Sequence, residues 1–404
     1  MMGTQGEHVV FVAAGAEVRG APGGWGLLRV RRNGSMAAIP LYDGAIVGSA
    51  SGQRDDVISV SDTTVCSHHA QFVVRPDGVY VSDLDSPTGT WLDGVPVSML
   101  GLAHGSVLRM GDSVMLFVER ELDTYAGAPS MMGDVLIGVR QRSWMDVVVG
   151  HIENRRSLVI QGEPGVGKST MARAAVQRAG GMSHTHVVDG ASIDPDQLIR
   201  AYGEGGPTLW LVTHIDQMPR AAQSDLVRAV RATEGSMLIG TVVGALEDAH
   251  AEGRVGSSLM ALVETRVLRV PSLAERREDI PALTIELLRR VGVRLDAGAE
   301  AVFECVLRAG WPGGVRELGA HLAAAFDAGE TAERAAKILC RTVPRSCPKE
   351  PLALQLSDRD LARVRLQKAL AMASGTVAVA ARELRMSRQA FYRELRRLAP
   401  DASR

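Results

Sequence analysis

The stretch "SLVIQGEPGVGKSTMARAAVQRA", Ser157 to Ala179, constrains the fold more than any other part of the chain. An apolar run, a glycine-rich loop and a helix-forming run follow one another, and the loop reads G-x-x-x-x-G-K-[ST] from Gly162 to Ser169. Glycines there let the loop curl so that successive backbone N–H groups point inward at phosphate oxygens, and the following helix adds the positive end of its dipole. Gly162, Glu163, Pro164, Gly165, Val166, Gly167, Lys168, Ser169 and Thr170 are the candidate nucleotide-binding residues. ATP or ADP is the expected ligand, with Lys168 reaching the β and γ phosphates and the Ser169 hydroxyl helping to hold Mg²⁺.

Around this loop the chain has three textures. From about residue 24 to 121, short alternating runs such as "HAQFVV" and "GVYVSDL" are broken by turn signals "RPDG", "SPTG" and "LDG", the pattern of an all-β sandwich. From 134 to 328, strand runs such as "HVVD" and "LWLV" alternate with helical runs such as "AAQSDLVRAVRA", which predicts an α/β unit with a parallel sheet. Residues 329–355, with "RTVPRSCPKEP", read as a linker, and 356–404 read as all-α.

The net charge of −1 gives no global push towards nucleic acid or membrane, so any basic surface has to be local. No apolar run reaches the roughly 18 residues a membrane span needs, and no basic flank precedes the short apolar segment near the start. Cys66, Cys305, Cys340 and Cys347 are scattered without a C-x-x-C pair, which argues against a disulfide framework and a zinc site. The expectation is a cytoplasmic protein with reduced thiols.

Two motifs further along carry a family resemblance. "SLAERREDIPAL" and "WPGGVREL" resemble the second half of the AAA+ domain of bacterial enhancer-binding proteins, the ATPases that activate sigma-54 RNA polymerase, where the motifs run roughly LRERREDI and WPGNVREL. Ala274 stands for an Arg and Gly314 for an Asn, while Arg316 falls on the arginine that senses the γ phosphate in that family. The resemblance implies a P-loop AAA+ domain with a helical lid over 134–328.

Several parts that the family needs are missing. The family's GGTLFLDEI becomes "GPTLWLVTHI", so Thr213 and His214 stand at an acid pair that holds Mg²⁺ and polarises the attacking water. Asp216 and His214 are the only candidates for a substitute catalytic group. Val242 and Val243 replace the Thr-Asn of a sensor motif, and Gly256 and Leu262 stand near the two arginines that reach a neighbouring subunit. An arginine of that kind is worth about 10³ to 10⁵ in rate. Only "GEG" separates Tyr202 from Gly206, leaving no room for the GAFTGA loop that grips sigma-54. ATP binding is expected and efficient ATP hydrolysis is not.

The sandwich segment resembles an FHA domain, which reads phosphothreonine. Gly48, His69, Gly89, Thr90, Gly94, Gly111 and Asp112 match that family's markers. The phosphate-contacting positions differ, with Ser49 for an Arg, Cys66 for a Ser and Thr88 for an Asn; Arg54, Ser67 and His68 are the residues able to compensate. A phosphoprotein is the implied partner, and a plain docking surface is the alternative.

The end of the chain, "TVAVAARELRMSRQAFYRELRRL", resembles the Fis-type helix-turn-helix of the same regulators, with Arg385 where the turn usually has Gly. Over 377–404, seven arginines stand against Glu383, Glu394 and Asp401, a local charge of +4. Ser387, Arg388, Gln389, Tyr392, Arg393 and Arg396 are the candidate contacts to double-stranded DNA, the first turn facing bases and later arginines facing phosphates. Ala380, Leu384 and Phe391 are expected to pack the two helices together. Fis-type units pair, so a homo-oligomer, at least a dimer, is expected, with Leu361, Val364, Leu366 and Leu370 of the preceding helix in the pairing surface. The leading reading is a DNA-binding regulator switched by nucleotide. A working sigma-54 activator in contact with RNA polymerase and an FHA adaptor are the rivals.

Overall fold

The computed structural model describes residues 24–49, 57–76, 78–119, 122–125, 127–180, 184–193, 206–263, 267–295, 298–327, 331–343, 358–373 and 376–398. The first unit is a β-sandwich. Its strands are β1 (Gly26–Val30), β2 (Met36–Pro40), β3 (Ile46–Gly48), β4 (Val57–Ser59), β5 (Ala70–Arg75), β6 (Gly78–Asp83), β7 (Thr90–Leu92), β8 (Val95–Pro96), β9 (Met99–Leu102), β10 (Val107–Met110) and β11 (Ser113–Val118). One sheet runs β2-β1-β11-β10-β7-β8 and the other β4-β3-β5-β6-β9.

Strand β11 is buried along its whole length, and its alternation explains how the sandwich is used. Met115 and Phe117 point into the sandwich core with Leu27, Leu108 and Phe72. Val114, Leu116 and Val118 point the other way, into a second core that contains helices from the far side of the molecule. Successive strand residues face opposite sides of a sheet, so a strand apolar throughout needs cover on both.

A hairpin of β12 (Ser130–Met132) and β13 (Val135–Ile137) leads into the α/β unit. There α1 (Gln141–Glu153), β14 (Leu158–Gly162), α2 (Lys168–Arg178), β15 (His184–Asp189), β16 (Thr208–Thr213), α3 (Arg220–Ala232), β17 (Met237–Val243), α4 (Leu246–Ala251), α5 (Ser257–Val263) and β18 (Val267–Arg269) follow in order. The sheet order is β15-β16-β17-β14-β18, with parallel pairings throughout. Parallel strands put their carboxyl ends on one edge, where ligands of open α/β sheets bind.

Four helices then form a lid: α6 (Ile280–Arg290), α7 (Ala299–Leu307), α8 (Gly314–Ala325) and α9 (Ala332–Thr342). Leu288, Val302, Leu307, Trp311, Leu318 and Leu339 build its core, and this core continues into Leu28, Val107, Leu116 and Val118 of the sandwich. Polar contacts frame the seam. Arg109 pairs with Glu304 at 3.0 Å, and Arg277 donates to the Gly105 carbonyl at 2.8 Å.

Helix α9 corrects the reading of 329–355 as a linker. Ala335, Ala336 and Leu339 are buried against the lid, because the run "AERAAKILC" carries apolar residues at helical spacing that the proline-rich sequence after it obscures. Residues 344–355 lie outside the described residues. A disulfide joins Cys305 on α7 to Cys340 on α9, with their Cα atoms 5.6 Å apart. This corrects the expectation of reduced thiols at those two positions. Their separation of 35 residues carries no local signal, and only helix packing brings them together. Cys66 is free.

The last helices are α10 (Asp358–Met372), α11 (Val377–Glu383) and α12 (Arg388–Arg397). Leu366, Ala369, Ala380, Phe391 and Leu398 form their core, with Leu384 packed beside it. Helix α10 also docks on the sandwich. Val364 packs on Val73 and Tyr80, and Arg363 makes two 2.7 Å bonds to the Asp43 carboxylate. Val364 is therefore committed within the chain, contrary to its expected place in a pairing surface, while Leu361 remains 45% exposed. Among the described residues no helix is long and apolar enough to cross a membrane.

Candidate functional site

The glycine-rich loop leaves β14 at its carboxyl end and delivers Lys168 to the first turn of α2. Gly165 and Gly167 take φ of 73° and 99°, a region that costs other residues roughly 1–2 kcal/mol. Gly165 has a second reason to lack a side chain, since a Cβ there would lie 1.9 Å from the Gly313 carbonyl oxygen at the start of α8. The Lys168 ammonium bonds back to the loop itself, donating to the Gly162 and Glu163 carbonyls at 2.8 and 2.7 Å. Burial lowers its pKa, while the charges of Asp216 and Glu163 pull the other way. Ser169 is half-buried in the first turn of α2 and Thr170 is exposed beside it.

The lid grips the outside of this loop. Val315 N–H donates to the Gly165 carbonyl at 3.0 Å, and buried Arg276 donates to the Val166 carbonyl at 2.6 Å. Arg276 also faces Asp279 at 3.4 Å. Burial pushes the Asp279 carboxyl up to about 7, with Glu278 adding to the rise and Arg276 and Arg140 opposing it. Arg316 is exposed on the first turn of α8, next to Val315.

At the end of β16, Thr213 is buried and its neighbour His214 turns into the left-handed region at φ 53°. His214 Nδ1 lies 3.0 Å from Asp189, the last residue of the neighbouring strand β15. The His214 bond, and after it burial working the other way, leaves the Asp189 carboxyl below its usual range. Asp216 lies two residues on in a tight turn, 8% exposed, and ion-pairs with Arg254 at 2.8 Å. Sequence reasoning weighed Asp216 and His214 but missed both partners, Asp189 and Arg254, which lie 25 and 38 residues away along the chain. Residues 203–205, the reason given for excluding a GAFTGA loop, lie outside the described residues. Among the described residues no group of three or more His, Cys, Asp and Glu is arranged to hold a metal by itself.

At the loop end of the sandwich, His69 is fully buried, receives the Cys66 N–H at Nδ1 and contacts the Gly89 carbonyl through Nε2 at 3.2 Å. Burial lowers its pKa, so it braces the loops as a neutral ring. Gly48 is needed because a Cβ would stand 2.0 Å from the Ser67 carbonyl oxygen. Ser49, Cys66 and Ser67 come together there, the Ser49 N–H donating to the Cys66 carbonyl at 2.9 Å. The Thr88 hydroxyl is turned to the Thr64 carbonyl at 3.1 Å. Arg54 lies outside the described residues.

On α12, Ser387 caps the helix by accepting from the Ala390 N–H, and Arg388, Gln389, Tyr392, Arg393 and Arg396 are exposed along one surface. Phe391 between them is fully buried. Arg385 adopts φ 55° in the turn before it, the conformation expected of the glycine that it replaces.

Phosphate loop, parallel sheet order, helical lid and sandwich define the class: an AAA+ type nucleotide-binding fold joined to an FHA domain. The FHA domain family matches residues 45–111. The chain is 33% identical over 116 residues to the glycogen accumulation regulator GarA of Mycobacterium tuberculosis, covering 28% of this chain and 71% of GarA. It is 29% identical over 203 residues to the transcriptional regulatory protein XylR of Pseudomonas putida, 41% of this chain but only 35% of XylR's length. Among solved structures it is similar to NtrX from Brucella abortus in complex with ATP, at 22% identity and TM-score 0.38 over 64% of this chain and 68% of that one. The chain belongs to the FHA-domain proteins and is homologous to the sigma-54-dependent transcriptional regulators.

Proposed function

We propose that this chain is a DNA-binding transcription regulator in which ATP or ADP, held with Mg²⁺ at the loop from Gly162 to Thr170, acts as a switch with weak or no hydrolysis. One observation carries the reading: the loop is fully formed, yet β16 runs out in buried Thr213 and left-handed His214, neither of which is a carboxylate. Phosphoryl transfer needs negative groups to place the metal and polarise water. A loop without them retains phosphate binding through backbone N–H groups and Lys168.

The residues present suit a metal–nucleotide complex. Ser169 offers a hydroxyl on the first turn of α2, and Asp216 has a buried carboxylate oxygen with no partner. Mg²⁺ held with the nucleotide would supply positive charge to the phosphates there, and Lys168 would turn from the Gly162 and Glu163 carbonyls to phosphate oxygens. Arg316, exposed on the first turn of the lid helix whose neighbour Val315 bonds the loop, is the residue assigned to the γ phosphate in this reading. Output runs through α12, whose exposed Arg388, Gln389, Tyr392, Arg393 and Arg396 suit a groove of double-stranded DNA. The sandwich loops offer a phosphoprotein or a plain protein a docking place.

The test is ATP binding and phosphate release on the same purified protein. Wild type binds ATP with micromolar-scale affinity, and Lys168→Ala weakens binding by about tenfold or more, the loss of one charge-assisted contact. Phosphate release by the two proteins is equal within error. Turnover of about 0.1 per second or faster, within the reach of ordinary enzymes, overturns the switch reading in favour of an active ATPase. DNA retention that falls steeply with added salt separates a regulator from a phosphoprotein adaptor.

A further inference from the structure

Asp216 carries a buried carboxylate oxygen without a partner at the sheet edge where the phosphate loop opens. It is 8% exposed, its Oδ2 accepts from Arg254 at 2.8 Å, and its Oδ1 is buried without a hydrogen-bond partner. An orphaned carboxylate oxygen in a dry place costs free energy unless a cation or donor completes it in some state of the protein. Its position at the carboxyl end of β16 is the edge of the sheet where the loop from β14 also opens. The Asp216 charge is also near enough to hold up the Lys168 pKa against the burial that lowers it.

Arg254 approaches from the turn between α4 and α5, and this approach is built rather than incidental. Gln223, 1% exposed, donates from one amide nitrogen to the Met218 and Arg254 carbonyls at 2.8 and 2.7 Å. Its oxygen accepts the Gly256 N–H at 2.7 Å. One buried amide thus clamps the turn carrying Arg254 against the turn carrying Asp216. The Arg254 side chain itself stays 39% exposed and also pairs with Glu252, so it is free to leave Asp216 without losing its only counter-ion.

From this geometry we infer that Asp216 is the carboxylate this chain turns towards nucleotide-bound Mg²⁺, and that Arg254 is its counter-ion in the nucleotide-free state, released when the metal–nucleotide complex enters. The inference rests on the nucleotide-binding reading. Release takes the Arg254 guanidinium off the floor of the site, while the Gln223 clamp keeps the turn between α4 and α5 in place. Asp216 takes only the metal-placing half of the work of the acid pair lost at Thr213 and His214, and supplies no base for water.

The experiment is calorimetric titration of the full chain with ATP, in Mg²⁺ and in EDTA, for wild type, Asp216→Asn and Arg254→Ala. In wild type, Mg²⁺ strengthens ATP binding. Asp216→Asn removes most of that strengthening, so the ratio of affinity in Mg²⁺ to affinity in EDTA falls about tenfold. Arg254→Ala raises affinity in Mg²⁺, since the competing ion pair is gone. With Mn²⁺ replacing Mg²⁺, water-proton relaxation reports the metal directly, and Asp216→Asn lowers the enhancement seen with wild type. An Asp216→Asn protein that keeps the full Mg²⁺ effect overturns the assignment and leaves nucleotide binding intact. Wild type that binds no ATP in either buffer overturns both. If Asp216→Asn does not fold, Arg254→Ala decides, and unchanged Mg²⁺–ATP affinity overturns the pairing.

Discussion

Asp279 is a single residue on which the support of the phosphate loop depends. It is buried beside Arg276, whose other bond holds the Val166 carbonyl. Burial raises its pKa to about 7, far above the ordinary 3.8. Between those values the folded chain keeps a proton that the unfolded chain releases, so this group's contribution to stability falls as pH rises through that window. Asp279→Asn carries no such proton. Its melting temperature minus that of wild type should therefore rise from pH 5 to pH 8, and a constant or falling value of that signed difference would refute the assigned shift. Among individual residues, those bound to a local pattern were readable in the sequence. Gly165, Gly167 and Lys168 follow from the loop, and the strain at Arg385 from a turn that ordinarily holds glycine. Asp279 sits in a recognisable motif, but its titration is set by Glu278, Arg276 and Arg140 closing around it in three dimensions. Arg254 gave no signal, because nothing in "EGRVG" announces a partner 38 residues earlier.

Helix α10 is an element whose local pattern and tertiary use disagree. Its apolar residues read as a pairing surface, yet Arg363 and Val364 are spent on the sandwich. Burial alone would raise the Asp43 pKa, but Arg363 and Arg75 hold the carboxyl below its usual range. Removing one partner of such a pair strands the other, so Asp43→Ala should destabilise the chain by about 3 kcal/mol. A double-mutant cycle with Arg363→Ala should return a coupling of about 1–3 kcal/mol. Additive losses in denaturant melts would mean that α10 does not dock through this pair. Lys368 pairs with Asp85 farther along the helix, near the sandwich loop that carries Thr88. Helices α2, α11 and α12 were legible because a cap, a turn residue or a motif marks each of them. Helix α9 was lost in a segment whose prolines read as linker, and its disulfide to α7 follows only from packing.

At the scale of the whole molecule, the sandwich and the lid share one apolar core through the outward face of β11. Leu116 is 2% exposed in that seam, so Leu116→Asp places a charge where neither unit can release it to water. The substitution should cost about 3–5 kcal/mol. Scanning calorimetry should show sandwich and lid melting in a single transition in both proteins. Two separated transitions in wild type would show that the seam does not bind the units together. The run "VMLFV" leaves β11 no polar face, a signal of cover on both sides that the sequence reading passed over and that does not name the cover. Lid helices more than 150 residues later supply it. The same lid rests on Gly165 and Val166 through Val315 and Arg276. The lid is thus a bridge: one end meets the phosphate loop and the other meets the outward face of β11, so repacking at either end is felt at the other.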